Sequence, residues 1–268
     1  MRGPAPGAAL QSLREVARRI VEGGPGAAAA LTGAGVSVES GIPDFRSPGG
    51  IWERFDPMEY ATIDAFRRDP VKVWAFLHEL DALLRGARPN PAHEALGELE
   101  RRGRLAGVAT QNVDALHQAG GSRRVIELHG TGDRLVCPRC GARYPTARAR
   151  AGELDDPPRC EDVMCGAVLK PDVTLFGEML PPGAFEAALD LVTRAPVLLV
   201  VGTSASVSPV SSLPDAARRA GSYVVEMNIA PTELTGTVAD RSIFGPAGET
   251  LPALLAEVAA LGGDVRSP

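Results

Sequence analysis

"GPGAAAALTGAG", residues 24–35, opens on a turn, runs through small apolar side chains and ends on a backbone left bare at Gly33 and Gly35. A short strand with no polar alternation is one buried on both faces, as in a parallel sheet covered by crossover helices. Working outward, Leu10, Leu13, Val16, Ala17, Ile20 and Val21 recur at helical spacing, which predicts an amphipathic helix within the first 24 residues. Further short strands are predicted in "LAGVATQN" (105–112), "VIELHG" (125–130), "APVLLVVGTSASV" (195–207) and "SYVVEMNIA" (222–230). Residues 56–100 carry helical periodicity, broken at Pro70 and at "RPNP". The pattern predicts an α/β fold with a parallel sheet. Ligands of such sheets bind outside the carboxyl ends of the strands. The loops at 33–46, 111–114, 202–204 and 228–230 are therefore expected to converge on one crevice.

The bulk numbers narrow the function. A chain of 268 residues suffices for one large domain, or one core with a smaller module. Its 28 basic and 33 acidic residues leave a net charge of −5, with no concentrated basic stripe, so no nucleic-acid partner is expected. Arg101, Arg102 and Arg104, and the pair Arg123 and Arg124, read as solvated helix ends. "MRGPAPGAAL" at the start lacks the apolar run of a signal peptide. The strongest apolar run, "PVLLVVG" at 196–202, is far short of the ~20 residues of a membrane helix. These features predict a cytoplasmic protein that does not engage membranes.

Residues 133–170, rich in Cys, Arg and Pro, do not fit the sheet and read as an insertion. Cys137 and Cys140, then Cys160 and Cys165, form C-x2-C and C-x4-C pairs nineteen residues apart. That is zinc-ribbon spacing with a slightly wide second knuckle, and four thiolates leave no open coordination position, so the expected zinc is structural.

In the glycine loop, Gly33, Gly35 and Gly41 let a backbone approach a phosphate closely. The third glycine nevertheless comes too late for the dinucleotide fingerprint G-x-G-x-x-G, and no Walker lysine follows. "GIPDFRS" then adds an acid, an aromatic ring that can cover a reactive carbon and an arginine that can pair with phosphate.

At this point several motifs coincide. "GAGVSVESGIPDFRSPGGIW", "TQNVDALHQAG", "VIELHG", the paired cysteines, "LKPDVTLFGEMLP", "VVGTSASVSP" and "EMNIAPT" resemble, in order, the motifs of the sirtuins, NAD-dependent protein lysine deacylases. The resemblance runs from about residue 12 to 260. It implies a Rossmann-like NAD-binding domain (1–47, 93–132 and 171–268) and a smaller domain made of a helical part (48–92) and a zinc ribbon (133–170).

Carried over residue by residue, the resemblance implies that Gly33, Ala34, Gly35 and Ser37 hold the pyrophosphate of NAD. Asp44, Phe45 and Arg46 fall on the cofactor loop, with Gly41, Pro43, Trp52 and Ala247 also in the cofactor set. Gln111, Asn112 and Asp114 line the nicotinamide and ribose pocket, Asn112 and Asp114 doing so as catalytic residues. Gly202, Thr203 and Ser204 meet phosphate and ribose, and Asn228 the adenosine ribose. His129 becomes the catalytic base, whereas His117 reads as structural. Val173, Leu175, Phe176, Gly177 and Glu178, within "VTLFGE", pair with an extended acyl-lysine peptide as an added strand.

The implied reaction consumes NAD and yields free lysine, nicotinamide and O-acyl-ADP-ribose. It needs a base of near-neutral pKa to deprotonate a ribose hydroxyl, a task that suits imidazole. Leu77 and Leu80 align with the Tyr-x-x-Arg pair that binds the acyl carboxylate in the desuccinylase branch. Both are apolar here, which predicts acetyl or a longer apolar chain over succinyl. Three alternatives share parts of this sequence: a mono-ADP-ribosyltransferase, a non-catalytic NAD or ADP-ribose sensor, and a dehydrogenase. The "QNVD" and "LHG" motifs, His129 and the missing fingerprint spacing weigh against them in turn.

Overall fold

Strand β1, Ala28–Thr32, is buried at every position. Its residues alternate between two cores: Ala28 and Ala30 join one, Ala29 and Leu31 the other. The computed structural model describes residues 6–147 and 156–262, and β1 lies inside a six-stranded sheet within it. The other members are β2 (Leu105–Thr110), β3 (Val125–Glu127), β7 (Val197–Val201), β8 (Tyr223–Asn228) and β9 (Arg241–Phe244). The order is β3-β2-β1-β7-β8-β9, and every neighbouring pair is parallel. The Rossmann-like parallel sheet expected from the sequence is present.

Three helices cover one face: α1 (Pro6–Glu22), α6 (Pro91–Arg101) and α10 (Ala247–Gly262). Their Val16, Ile20, Leu96, Leu99, Leu251 and Leu254 pack on Val197, Leu199 and Val201 of β7. The opposite face, with Leu198 and Val200, takes α8 (Ala184–Arg194) and α9 (Leu213–Arg219). Small side chains along β1 let helices approach the middle of the sheet from both sides. Helix α6 starts sharply because Asn90 caps it, Pro91 occupies its first turn and His93 closes a capping box.

A second sheet is antiparallel, of order β5-β4-β6, built from β4 (Gly130–Val136), β5 (Arg143–Pro145) and β6 (Lys170–Val173). It packs with α2 (Ile51–Arg54), α3 (Pro57–Tyr60), α4 (Ile63–Arg68) and α5 (Pro70–Gly86) around a third core. Phe66, Val73, Trp74 and Phe76 from the helices meet Leu135 of β4 and Cys137, Cys160 and Leu169 of the segments joining the strands. Trp74 Nε1 donates to the Leu169 carbonyl at 2.8 Å, so the two parts share a buried hydrogen bond as well as apolar area. Among the described residues, no helix is long and apolar enough to cross a membrane.

Candidate functional site

The sheet order reverses beside β1: the chain runs outward through β2 and β3, then returns to β7 on the other side. At such a switch point the two adjacent loops part and leave a crevice. Here they touch at their bases. A Cβ on Gly35 would lie 2.8 Å from the Gly202 carbonyl oxygen, and one on Gly202 would collide with the Val36 amide. Gly202 also has φ +59, a left-handed conformation that favours glycine. The sequence explains Gly33 and Gly35 by a ligand's approach, but their amides are already engaged: Gly33 N–H donates to Val201 and Gly35 N–H to Gly202. The bare backbone serves loop-on-loop packing first. Ala34 opens a 3-10 turn, Ala34–Ser40, that Gly41 closes in the left-handed region.

Around the crevice the polar side chains form two hydrogen-bonded groups, one centred on Ser37 and one on Thr203. His93 Nδ1 accepts from the Asn90 amide at 3.3 Å, which leaves Nε2–H to face Ser37 Oγ at 3.4 Å. Ser37 Oγ in turn donates to Asp114 Oδ2 at 2.7 Å. Asn112 Nδ2 donates to Ser37 Oγ at 3.0 Å and to Asp114 Oδ2 at 3.3 Å. Ser37 is 1% exposed, so its hydroxyl is spent on orienting Asn112 and Asp114. Gln111 Nε2 donates to Thr203 Oγ1 at 2.8 Å, and Asn228 Nδ2 to the Thr203 carbonyl at 3.2 Å, which joins three of the four predicted loops. Ser204 is exposed and bonded to Ser206, and Ala247 begins α10 nearby in sequence to Gly248, whose N–H donates to Glu39.

His129 follows β3. Its Nδ1 lies 3.1 Å from the Gln111 carbonyl, an atom that only accepts, so Nδ1 carries the proton and Nε2 is the basic nitrogen. Burial pushes its pKa below the ordinary histidine value, partly offset by that hydrogen bond. The residue after it is fixed as glycine: Gly130 has φ +76, and a Cβ there would collide with the Asp172 carbonyl.

His117, on the short helix α7 (Leu116–Ala119), is 1% exposed and plays a different part. Thr32 Oγ1 donates to Thr110 Oγ1, so His117 Nε2–H must donate to Thr32 at 2.8 Å, leaving Nδ1 without a partner among the described residues. Burial, with the nearby His93, pushes its pKa down to about 3. The unfolded chain takes a proton at this residue below about pH 6.5, which the folded chain refuses. Its contribution to stability is therefore complete above that pH and is lost as pH falls toward 3, at up to about 1.4 kcal/mol per pH unit. Urea midpoints measured from pH 7 to 4 are expected to fall more steeply for the native chain than for His117→Gln. Equal slopes would contradict the assignment.

The four cysteine sulfurs lie within 4.8 Å of one another. Cys137 and Cys165 are 3.5 Å apart, Cys140 and Cys160 3.6 Å, against ~2.05 Å for a disulfide. Tetrahedral zinc with ~2.3 Å bonds separates its sulfurs by about 3.8 Å, so the donor set and its spacing fit zinc.

The comparisons with known proteins agree with this geometry. A model of the Sir2 family matches residues 33–209. NAD-dependent protein deacylase 2 of Pyrobaculum aerophilum is 49% identical over 228 residues, 85% of this chain and 89% of that protein.

The chain belongs to the Sir2 family.

Among solved structures, a Sir2 homolog–NAD complex is 42% identical, with a TM-score of 0.84, and the match covers 92% of this chain and 93% of that one. Sir2Af2 bound to a myristoylated histone peptide is 36% identical, with a TM-score of 0.76, covering 94% and 98%.

In this Sir2 chain the segment after the glycine loop folds on itself. Asp44 accepts the amides of Arg46 and Ser47; burial opposes its charge, but the bonds from Ser47 and Arg46 prevail and lower its pKa. Asp44 thus builds the turn, while Arg46 is exposed. The Phe45 and Trp52 rings are 5.0 Å apart, and Trp52 also faces Phe76 and Phe176. Pro43 and Leu80 line one cavity with Ile51, Phe55, Phe76 and Leu83, whereas Leu77 is buried in the third core. The two leucines aligned with the acyl pocket therefore differ in access.

Most of the backbone in 173–178 is already engaged. Thr174 N–H donates to the His129 carbonyl, Leu175 N–H to Glu178 Oε2, and Phe176 pairs with Ala61 and Ile63. Leu175 is buried and Val173 ends β6, leaving Phe176 and Gly177 as the exposed part. His93, Asn90 and Thr32 were not among the sequence candidates. The capping pattern "NPAH" was the one available signal, and it pointed to a helix start.

Proposed function

We propose a residue-level account of the reaction this Sir2 chain catalyses, NAD-dependent protein deacylation. The orientation of His129 carries it: Nδ1 is held by the Gln111 carbonyl, so Nε2 is the free base. Bound NAD supplies a ribose carbon with a good leaving group, nicotinamide, and a hydroxyl that must lose a proton. His129 Nε2 takes that proton, and its lowered pKa keeps it unprotonated at neutral pH. Asn112 and Asp114, aligned by Ser37 and His93, orient the ribose end. Gln111, Thr203 and Asn228 line the crevice over the carboxyl ends of β2, β7 and β8, beside the switch point that favours a dinucleotide.

The six-stranded sheet serves as the cofactor domain, and residues 48–92 and 133–170 as the smaller one. The shared third core supports treating those two stretches together. An extended acyl-lysine peptide lies against Phe176 and Gly177, a narrower contact than the full "VTLFGE" segment. The mostly apolar cavity beside Leu80, whose one lining cation, Arg54, is already paired with Glu79 at 2.6 Å, supports acetyl or longer aliphatic chains over succinyl. Four free cysteines, none paired as a disulfide, support a reducing, cytoplasmic setting.

The test is mass spectrometry of acetyl-, succinyl- and myristoyl-lysine peptides incubated with NAD. Acyl loss with O-acyl-ADP-ribose, for acetyl or myristoyl above succinyl, is expected. ADP-ribose appearing on protein without acyl loss would replace this account with the transferase, and a succinyl preference would refute the reading of Leu77 and Leu80.

A further inference from the structure

Lys170, at the start of β6, has a side chain only 5% exposed. Its ammonium reaches both ends of the segment that follows. Nζ donates to the Val173 carbonyl at 2.7 Å and lies 3.0 Å from Glu178 Oε2, with a longer contact of 3.4 Å to the Pro171 carbonyl. The same Glu178 oxygen accepts the Leu175 amide at 2.8 Å. One cation and one anion thus close residues 170–178 into a loop and fix the backbone at Val173 and Leu175.

Burying an ion pair costs desolvation that an apolar pair of similar volume does not incur, so stability alone is a weak reason for these charges. What the pair does, which apolar residues cannot, is hold specific carbonyl and amide atoms. Those atoms belong to the segment that bonds the His129 carbonyl through Thr174 and bridges to Ala61 and Ile63 through Phe176. A slack loop here would move the exposed Phe176–Gly177 turn relative to the catalytic histidine.

We propose that the Lys170–Glu178 pair is a positioning device for the acyl-lysine peptide: it sets the binding shape of residues 173–178 before the peptide arrives. Affinity gained this way comes from ordering the loop in advance rather than from added contacts. The proposal rests on the reading that this segment meets the peptide.

Two measurements separate the two ideas. In the native chain with ADP-ribose bound, hydrogen exchange of residues 173–178 is followed with and without an acetyl-lysine peptide. Protection by peptide is expected, and its absence would overturn the reading and the proposal together. Steady-state kinetics are then compared for K170M, K170R and the apolar pair K170M/E178L, each with its melting temperature. Loss of the brace is expected to raise the peptide KM about tenfold in K170M and in the double variant, the loss of roughly one charged hydrogen bond. The NAD KM should stay level, and K170R should keep the native peptide KM. The double variant guards against K170M failing to fold, because it leaves no unpaired buried charge. Protection by peptide in the native chain, combined with a native peptide KM in the folded double variant, would overturn the proposal alone. So would an equal rise in both KM values, the mark of a general structural defect.

Discussion

Replacing His129 with alanine is expected to lower kcat by roughly 10²- to 10⁴-fold, the usual contribution of a positioned general base. ADP-ribose binding should be unaffected, because the bonds that join the crevice loops, Gln111 Nε2 to Thr203 Oγ1 and Asn228 Nδ2 to the Thr203 carbonyl, use atoms that His129 does not touch. Among the described residues His129 accepts nothing at Nε2, and it gives its other nitrogen to a main-chain carbonyl, so its loss removes a base and little else. In the native enzyme the acid limb of the pH–rate profile should fall below the ordinary histidine range, since burial favours the neutral ring. Turnover in the alanine variant within a few-fold of native would remove His129 from the chemistry. Calorimetric loss of ADP-ribose binding would instead make it a scaffold residue.

Zinc removal should have a comparably large effect by a different route. Binding energy at a four-thiolate site is folding energy, about 10–16 kcal/mol in isolated finger peptides at neutral pH. Cys137 and Cys160 are themselves members of the third core, beside Leu135, Leu169 and Trp74. Freed of metal, four crowded thiolates, two of them buried, would have to protonate or separate, and that core would open. A chelator, or Cys160→Ala, should therefore abolish deacylation and speed hydrogen exchange across β4 to β6. The parallel sheet has cores of its own, so β1, β7 and β8 should remain protected. One zinc per chain is the expected metal content. Full activity after complete chelation would refute the structural assignment.

The sequence showed the sheet where burial is two-sided. β1, β2, β7 and β8 are apolar runs with nothing else to be, and each was legible. β9, "RSIF", escaped because an edge strand needs only one or two apolar residues, and Arg241 and Ser242 hide it. The small sheet escaped for a similar reason: β4 reads "GTGDRLV", with polar residues facing solvent and Pro171 interrupting β6. Zinc was legible since ligand spacing is local, although residues 148–155, inside the predicted insertion, lie outside the described residues. The network under the active site was not. Beyond the local Asn90–His93 contact, Asn90, His93 and Ser37 lie 50 or more positions from their partners and are of common types, so only the fold brings them together. The glycine loop was half legible: the sequence marks a close approach but cannot tell a ligand from Gly202.

The aromatic crossing of Phe45, Trp52, Phe76 and Phe176 has a spectroscopic consequence. The chain has two tryptophans. Trp74 is 2% exposed and tied to Leu169, a fixed background emitter. Trp52 is half-buried where Phe45 of the loop after the glycine turn, Phe76 of α5 and Phe176 meet. A shift in intrinsic fluorescence on adding NAD or peptide therefore belongs to Trp52, and W52F should silence it, giving a label-free optical record of ligand arrival without any chemistry having to occur.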